Sequence, residues 1–267
     1  MKSLNGSELA GYIKERQARQ VRGLRQHYKT APRLAIVVAN DSPVIDTYVR
    51  LKQAYAEDIL VDVEIHRMAP DAVANKIDEL NADDSVKGVI LQLPLSQPSL
   101  TDELVKLIAP EKDVDSMGED SPFDPATAMA INWLLTGYNI ALENRKIVII
   151  GRGRLVGAPL ARMWRDSGLN VTVLGRGDDL SAELPGAEII VSATGVPGLL
   201  TSELVPIGAT VVDAGTADDG GRVVGDAAPE LYQRDDLTIT PVRGGVGPLT
   251  IAALMDNVIL ATRNSIG

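Results

Sequence analysis

Residues 146–159, KIVIIGRGRLVGAP, constrain the fold more than any other stretch: four consecutive β-branched apolar residues run straight into a G-x-G-x-x-x-G turn and then into helix-compatible sequence. Ile147–Ile150 reads as a strand buried on both faces, the kind found inside parallel sheets. Gly151 and Gly153 are expected to let the backbone bend and approach a ligand. A helix starting near Leu155 would leave its first N–H groups unpartnered at the positive end of the helix dipole, which suits a phosphate. The third glycine, Gly157, falls one residue later than in the dinucleotide fingerprint, so the same pattern also serves a turn built only for packing.

Strand and helix patterns alternate through the rest of the 267 residues. The first half reads as a basic amphipathic helix over 6–28, then strand 34–39, helix 45–58, strand 61–67, helix 71–81, strand 88–93 and helix 101–108. An acidic, proline-rich loop leads to a linking helix, 128–136. Beyond it the rhythm resumes with strands 147–150, 171–174, 188–192, 210–212 and 237–240 and a last helix, 250–263. This alternation predicts an α/β protein of two parallel-sheet domains, the second a Rossmann-type dinucleotide-binding domain, with a cleft between them. The expected division is an N-terminal catalytic domain over 1–123, on which 250–267 packs back, and a nucleotide-binding domain over 124–249.

Composition narrows the function. A net charge of −10 argues against nucleic acid and anionic membranes as partners. With no cysteine, disulfides and thiolate chemistry are excluded. His27 and His66 are the only histidines and lie in unrelated segments, so no metal is expected. No signal-peptide core or 18-residue apolar run is present, which predicts a cytoplasmic protein.

Several residues are suited to chemistry. Tyr48 and Lys52 are spaced to share one helix face: a desolvated lysine exchanges protons near neutrality, and a tyrosine ring stacks on a heteroaromatic ligand. The alternative is a solvated lysine beside a core tyrosine. Gln92 ends the run GVILQLPL, where its amide would hold another polar side chain or satisfy loop backbone. Leu93-Pro94 is a candidate cis bond. Asp113 and Asp115, in KDVD, are carboxylates able to grip a cyclic N–C–N donor edge, or else solvated loop acids. Arg152, Arg154 and Arg176 cluster where a Rossmann sheet meets the adenosine ribose; arginine there favours a 2′-phosphate, hence NADP, whereas Asp178 and Asp179 favour a free 2′-hydroxyl, hence NAD. Residues 240–250, TPVRGGVGPLT, read as a rigid loop walling a ligand.

These motifs resemble the bifunctional methylenetetrahydrofolate dehydrogenase/methenyltetrahydrofolate cyclohydrolase family along nearly the whole chain. The family's Y-V-x-x-K appears as Tyr48 to Lys52, Q-L-P-L as Gln92 to Leu95, P-x-K-D-V-D-G as Pro110 to Ser116, G-R-S-x-x-V-G-x-P as Gly151 to Pro159 and T-P-V-P-G-G-V-G-P-M-T as Thr240 to Thr250. The resemblance implies a homodimeric enzyme that oxidises 5,10-methylenetetrahydrofolate with NADP and hydrolyses the methenyl product to 10-formyltetrahydrofolate. It also implies roles. Lys52 would be the acid/base group, oriented by Gln92; Tyr48 would stack on the folate and Asp115 bind its pterin edge. Gly244, Gly245 and Pro248 would complete the substrate site. Gly151, Arg152, Gly153, Arg154, Gly157, Arg176, Thr194 and Gly195 would hold the cofactor.

The chain departs from the pattern near the site: Ser116 replaces a glycine, Gly153 a serine and Arg243 a proline, and only nine residues separate Asp115 from Pro125. Two other readings therefore stay open, a dehydrogenase of another small anionic substrate and a nucleotide-binding protein without catalysis.

Overall fold

The computed structural model describes residues 1–219 and 222–266. In chain order its elements are β1 (Lys2–Ser3), α1 (Gly6–His27), β2 (Arg33–Val38), α2 (Pro43–Asp58), β3 (Asp62–Arg67), α3 (Val73–Ala82), β4 (Gly88–Gln92) and α4 (Thr101–Val105). There follow α5 (Ala126–Gly137), β5 (Ile147–Ile150), α6 (Gly157–Asp166), β6 (Val171–Leu174), α7 (Leu180–Glu183), β7 (Ile189–Ser192) and β8 (Thr210–Asp213). The last are β9 (Ala217–Asp219), β10 (Arg222–Val224), β11 (Thr238–Ile239) and α8 (Val246–Asn264).

Two compact units result. Gly11–Ala126 with Ile251–Gly267 form one, and Met1–Ala10 with Thr127–Thr250 the other. In the first, β2 lies between β3 and β4 in a parallel sheet, in register from Leu34 opposite Val63 and Gly88. The apolar runs that predicted buried strands are buried: every residue of β4 and five of the six in β2. Val37, Val89 and Leu91 meet Ile77 and Leu80 of α3 in one core.

The second unit carries a parallel sheet in the order β1-β11-β8-β7-β5-β6. β5 is followed by β6 on one side and pairs with β7 on the other, so the connections reverse direction at the carboxyl ends of β5 and β7, where open α/β sheets bind ligands. Val148, Ile190 and Val211 form its core with Leu184, Leu200 and Leu231.

Three local expectations change. The first ten residues group with the nucleotide-binding unit instead of the catalytic one, because β1 pairs with β11 and the Ser7 N–H donates to the Gly244 carbonyl at 2.9 Å. Helix α8 begins at Val246, not 250, so part of the expected 240–250 loop is helical; Pro248 fits the first turn, where a missing N–H costs nothing. β1 and the antiparallel hairpin of β9 and β10 are elements of two or three residues, too short to show a period.

Candidate active site

Helix α2 starts at Pro43 and turns Ile45, Val49, Tyr55 and Ala56 inward. The Tyr55 hydroxyl donates to Gln17 Oε1 at 2.8 Å, and Gln17, fully buried in α1, donates to the Ala252 carbonyl and to Asp256 of α8 at 2.7 and 2.9 Å. Burial, with Asp256 nearby, pushes the Tyr55 hydroxyl pKa up, so it stays a neutral donor. One turn earlier on α2, Lys52 donates from Nζ to Gln92 Oε1 at 2.8 Å. Gln92 ends β4 and donates from Nε2 to the Leu93 carbonyl at 2.9 Å, which fixes the amide with its oxygen toward the lysine. The peptide bond that follows, Leu93-Pro94, is cis. Tyr48 sits half-buried on the same face of α2 as Lys52.

The third member is Asp115. Lys52 as a residue is half-buried while its ammonium is desolvated; desolvation lowers the lysine pKa, and the Asp115 carboxylate partly opposes it. Reciprocally, burial raises the Asp115 pKa and the Lys52 ammonium pulls it back. Each charge is thus tolerated because of the other, as expected where proton transfer is tuned toward neutrality.

Asp115 is held by residues whose roles sequence reasoning missed. Lys112 is 8% exposed and donates to the carbonyls of Leu80, Asn81 and Asp83 at 2.9, 2.7 and 2.8 Å, closing the C-terminal end of α3. Buried Asn257 of α8 donates to the carbonyls of Val114 and Asp124 at 2.8 and 2.9 Å, fastening both ends of the shortened loop. Asp113 accepts from the N–H groups of Met117 and Gly118 at 3.2 and 2.7 Å and serves the loop, not a ligand. Ser116 adopts φ 55°, the left-handed region, and its hydroxyl donates to the Phe123 carbonyl at 2.7 Å. Lys112 is the lysine of the P-x-K-D-V-D-G motif, yet its spacing alone gives it no role, and Asn257 reads as an ordinary helix residue.

In the second unit, two of the three glycines are required by geometry. Gly151 has φ +114°, and a Cβ there would lie 2.4 Å from the Ala193 carbonyl oxygen; a Cβ on Gly157 would lie 1.8 Å from that of Gly151. Gly153 faces open space, where a Cβ would meet nothing within 4 Å, so no protein contact there requires a glycine. No side chain caps α6, but the Ala158 and Leu160 N–H groups donate to the Gly153 and Val156 carbonyls at 3.1 and 2.9 Å and Pro159 has no N–H, so in the first turn the Gly157 N–H is the one left to face an anion. Arg152 donates from Nη2 to Asp178 Oδ2 at 2.8 Å, while Arg154 and Arg176 are exposed.

The Thr194–Gly195 turn after β7 is set by a buried carboxylate. Asp226 accepts from Ser192 Oγ, Thr194 N, Thr194 Oγ1 and Val196 N at 2.6, 2.8, 2.9 and 3.0 Å. Asp213 in turn accepts from the Asp226 and Ala227 N–H groups at 3.0 and 2.9 Å, while its own N–H donates to Thr240 Oγ1 at 3.0 Å. Burial raises the Asp213 pKa. The hydroxyl proton of Thr194 is therefore engaged internally, and Gly195 adopts φ +68°, with a Cβ there 3.2 Å from the Thr216 carbonyl oxygen. Gly244, at φ +83°, and buried Gly245 lie between β11 and α8, ahead of Pro248. Among the described residues no group of three or more His, Asp or Glu is arranged to hold a metal ion.

Residues 4–115 match the catalytic domain of tetrahydrofolate dehydrogenase/cyclohydrolase, and residues 125–266 match its NAD(P)-binding domain. The bifunctional protein FolD of Staphylococcus epidermidis is 34% identical over 277 aligned positions, covering 98% of this chain and 96% of the relative's. The crystal structure of FolD methylenetetrahydrofolate dehydrogenase/cyclohydrolase from Campylobacter jejuni superposes with a TM-score of 0.92 at 33% identity, covering 99% of both chains. The Trypanosoma brucei methylenetetrahydrofolate dehydrogenase-cyclohydrolase, complexed with NADP and an inhibitor, gives 0.91 at 28% identity over 99% of this chain and 98% of its own. With both halves matched in order and nearly the full length aligned, the chain belongs to the tetrahydrofolate dehydrogenase/cyclohydrolase family.

Proposed function

We propose that this protein oxidises 5,10-methylenetetrahydrofolate with NADP and then hydrolyses the methenyl product to 10-formyltetrahydrofolate. The observation that carries the reading is the Lys52 ammonium, desolvated, beside Asp115 and 2.8 Å from Gln92 Oε1. NADP, when bound, supplies the two-electron acceptor for the first step. Gly151, Gly157 and Gly195 let the backbone turns close tightly on their neighbours, the N-terminus of α6 attracts the phosphate charge, and Arg152, Arg154 and Arg176 line the ribose end. Gly153, exposed in the same turn, leaves its backbone open to the cofactor.

In the folate half, Tyr48 offers a stacking face and Asp115 accepts from the pterin N–H edge; Gly244, Gly245 and Pro248, which belong to the nucleotide-binding unit, are the further substrate-binding residues of the same reading. For hydrolysis, a water oxygen bonds to the methenyl carbon while its proton passes to neutral Lys52 Nζ. The carbon–N5 bond then breaks, N5 takes the proton from Nζ, the new hydroxyl loses its own to become the formyl carbonyl, and one proton is released overall. Gln92 keeps the Nζ lone pair aimed by holding the amine at a fixed distance.

The same reading includes homodimeric assembly, supported by β3, which ends its sheet with one edge unpaired among the described residues, and a cytoplasmic location. Among the described residues no helix is long and apolar enough to cross a membrane. The test is absorbance of reduced nicotinamide with methylenetetrahydrofolate and NADP or NAD in parallel, followed by methenyl hydrolysis. Lys52→Ala should lower hydrolysis by at least about a hundredfold while NADPH binding persists. Hydrolysis at the wild-type rate in that variant would remove Lys52 from the mechanism, and no reduction with either nucleotide would favour a different anionic substrate, to which exposed Arg243 is suited.

A further inference from the structure

The loop after β6, LGRGDD at 174–179, carries two acids with different duties. Asp179 caps α7, its Oδ1 accepting from the Ser181 N–H and hydroxyl at 2.9 and 2.6 Å. Asp178 Oδ2 instead accepts from the Gly175 N–H at 2.7 Å and from Arg152 Nη2 at 2.8 Å. The same guanidinium donates to the Val173 carbonyl at 3.2 Å, and a Cβ on Gly175 would lie 3.0 Å from Nη1. Arg152 is therefore drawn from the glycine turn after β5 onto the end of β6. At that strand end a dinucleotide-binding sheet meets the adenosine ribose, where arginine favours a 2′-phosphate and a carboxylate favours a free 2′-hydroxyl. This chain places both groups there, bonded to each other.

We propose that Asp178 is a specificity-determining residue that sets the choice between NADP and NAD by competing with the 2′-phosphate for Arg152. The proposal rests on the dinucleotide reading of the second unit. A 2′-phosphate that takes Arg152 must displace the carboxylate or share the guanidinium with a like charge. The 2′-hydroxyl of NAD donates to the carboxylate and leaves the ion pair intact. The side chains of Arg152 and Asp178 keep 59% and 35% of their exposure, so the pair is reachable and rearranges, and the bias is about tenfold instead of absolute.

Asp178→Asn keeps the shape and the acceptor for the Gly175 N–H while removing the charge. NADPH and NADH are titrated by their fluorescence against wild type, Asp178→Asn and Asp179→Asn, the last being an equal change of net charge on the neighbouring residue. The expected result is a preference for NADPH over NADH that rises about tenfold in Asp178→Asn and stays within about twofold of wild type in Asp179→Asn. A change below about twofold in Asp178→Asn, or an equal change in both variants, overturns the proposal while leaving dinucleotide binding standing. Wild-type protein that binds neither nucleotide overturns the dinucleotide reading itself, and this proposal with it.

Discussion

Lys52 acts as a base only in the fraction of molecules whose amine is neutral, and two opposing effects set that fraction. Desolvation lowers its pKa and the Asp115 carboxylate raises it, so removing the carboxylate must lower the pKa further. In Asp115→Asn the rising limb of kcat for methenyl hydrolysis should therefore move to lower pH than in wild type, even though folate binding weakens. A limb that stays put, or moves up, would show that the Asp115 charge does not act on Lys52. The Tyr48–Lys52 spacing and the strand-end position of Gln92 are legible in the sequence because they follow from helix and strand periods alone. Residue chemistry alone does not choose between Asp113 and Asp115; the family resemblance picks Asp115, and in the structure Met117 and Gly118 take Asp113. Gly153 and Gly157 look alike in sequence for the same reason, and only the distance to the Gly151 carbonyl separates them.

At the scale of elements, α3 ends without a glycine cap, and Lys112 supplies what its terminal carbonyls lack. Lys112→Met keeps most of the apolar stem but deprives three carbonyls of a charged donor. It should cost about 2–3 kcal/mol, read as a lower midpoint of urea unfolding. A loss under about 0.5 kcal/mol would mean that water takes over these bonds. In the sequence this lysine lies among acids and reads as solvated. The start of α8 escapes local reading for a related reason: glycine and proline signal a break in chain pattern, yet a helix's first turn accepts both.

On the scale of the whole molecule, each unit holds a hydrophobic core among the described residues, one around β2 and β4 and one around β5, β7 and β8. NADPH at about a hundred times its Kd stabilises what it binds by about 2.7 kcal/mol. Amide exchange should then slow most in β5, β7 and β8, with a smaller effect in β2 and β4. Equal slowing in both sheets would show that the two units open together. The sequence by itself determined the α/β class, the two sheets and the glycine turn, because strand and helix periods and glycine punctuation are local properties of neighbouring residues. Only the tertiary structure decided that Asp113 is spent on its own loop, that Asp178 captures Arg152 and that the first ten residues join the nucleotide-binding unit. The last two outcomes depend on contacts between distant segments, as does the bond of Asn257 to Val114 across 143 positions, and no local pattern encodes which distant groups will satisfy a buried donor.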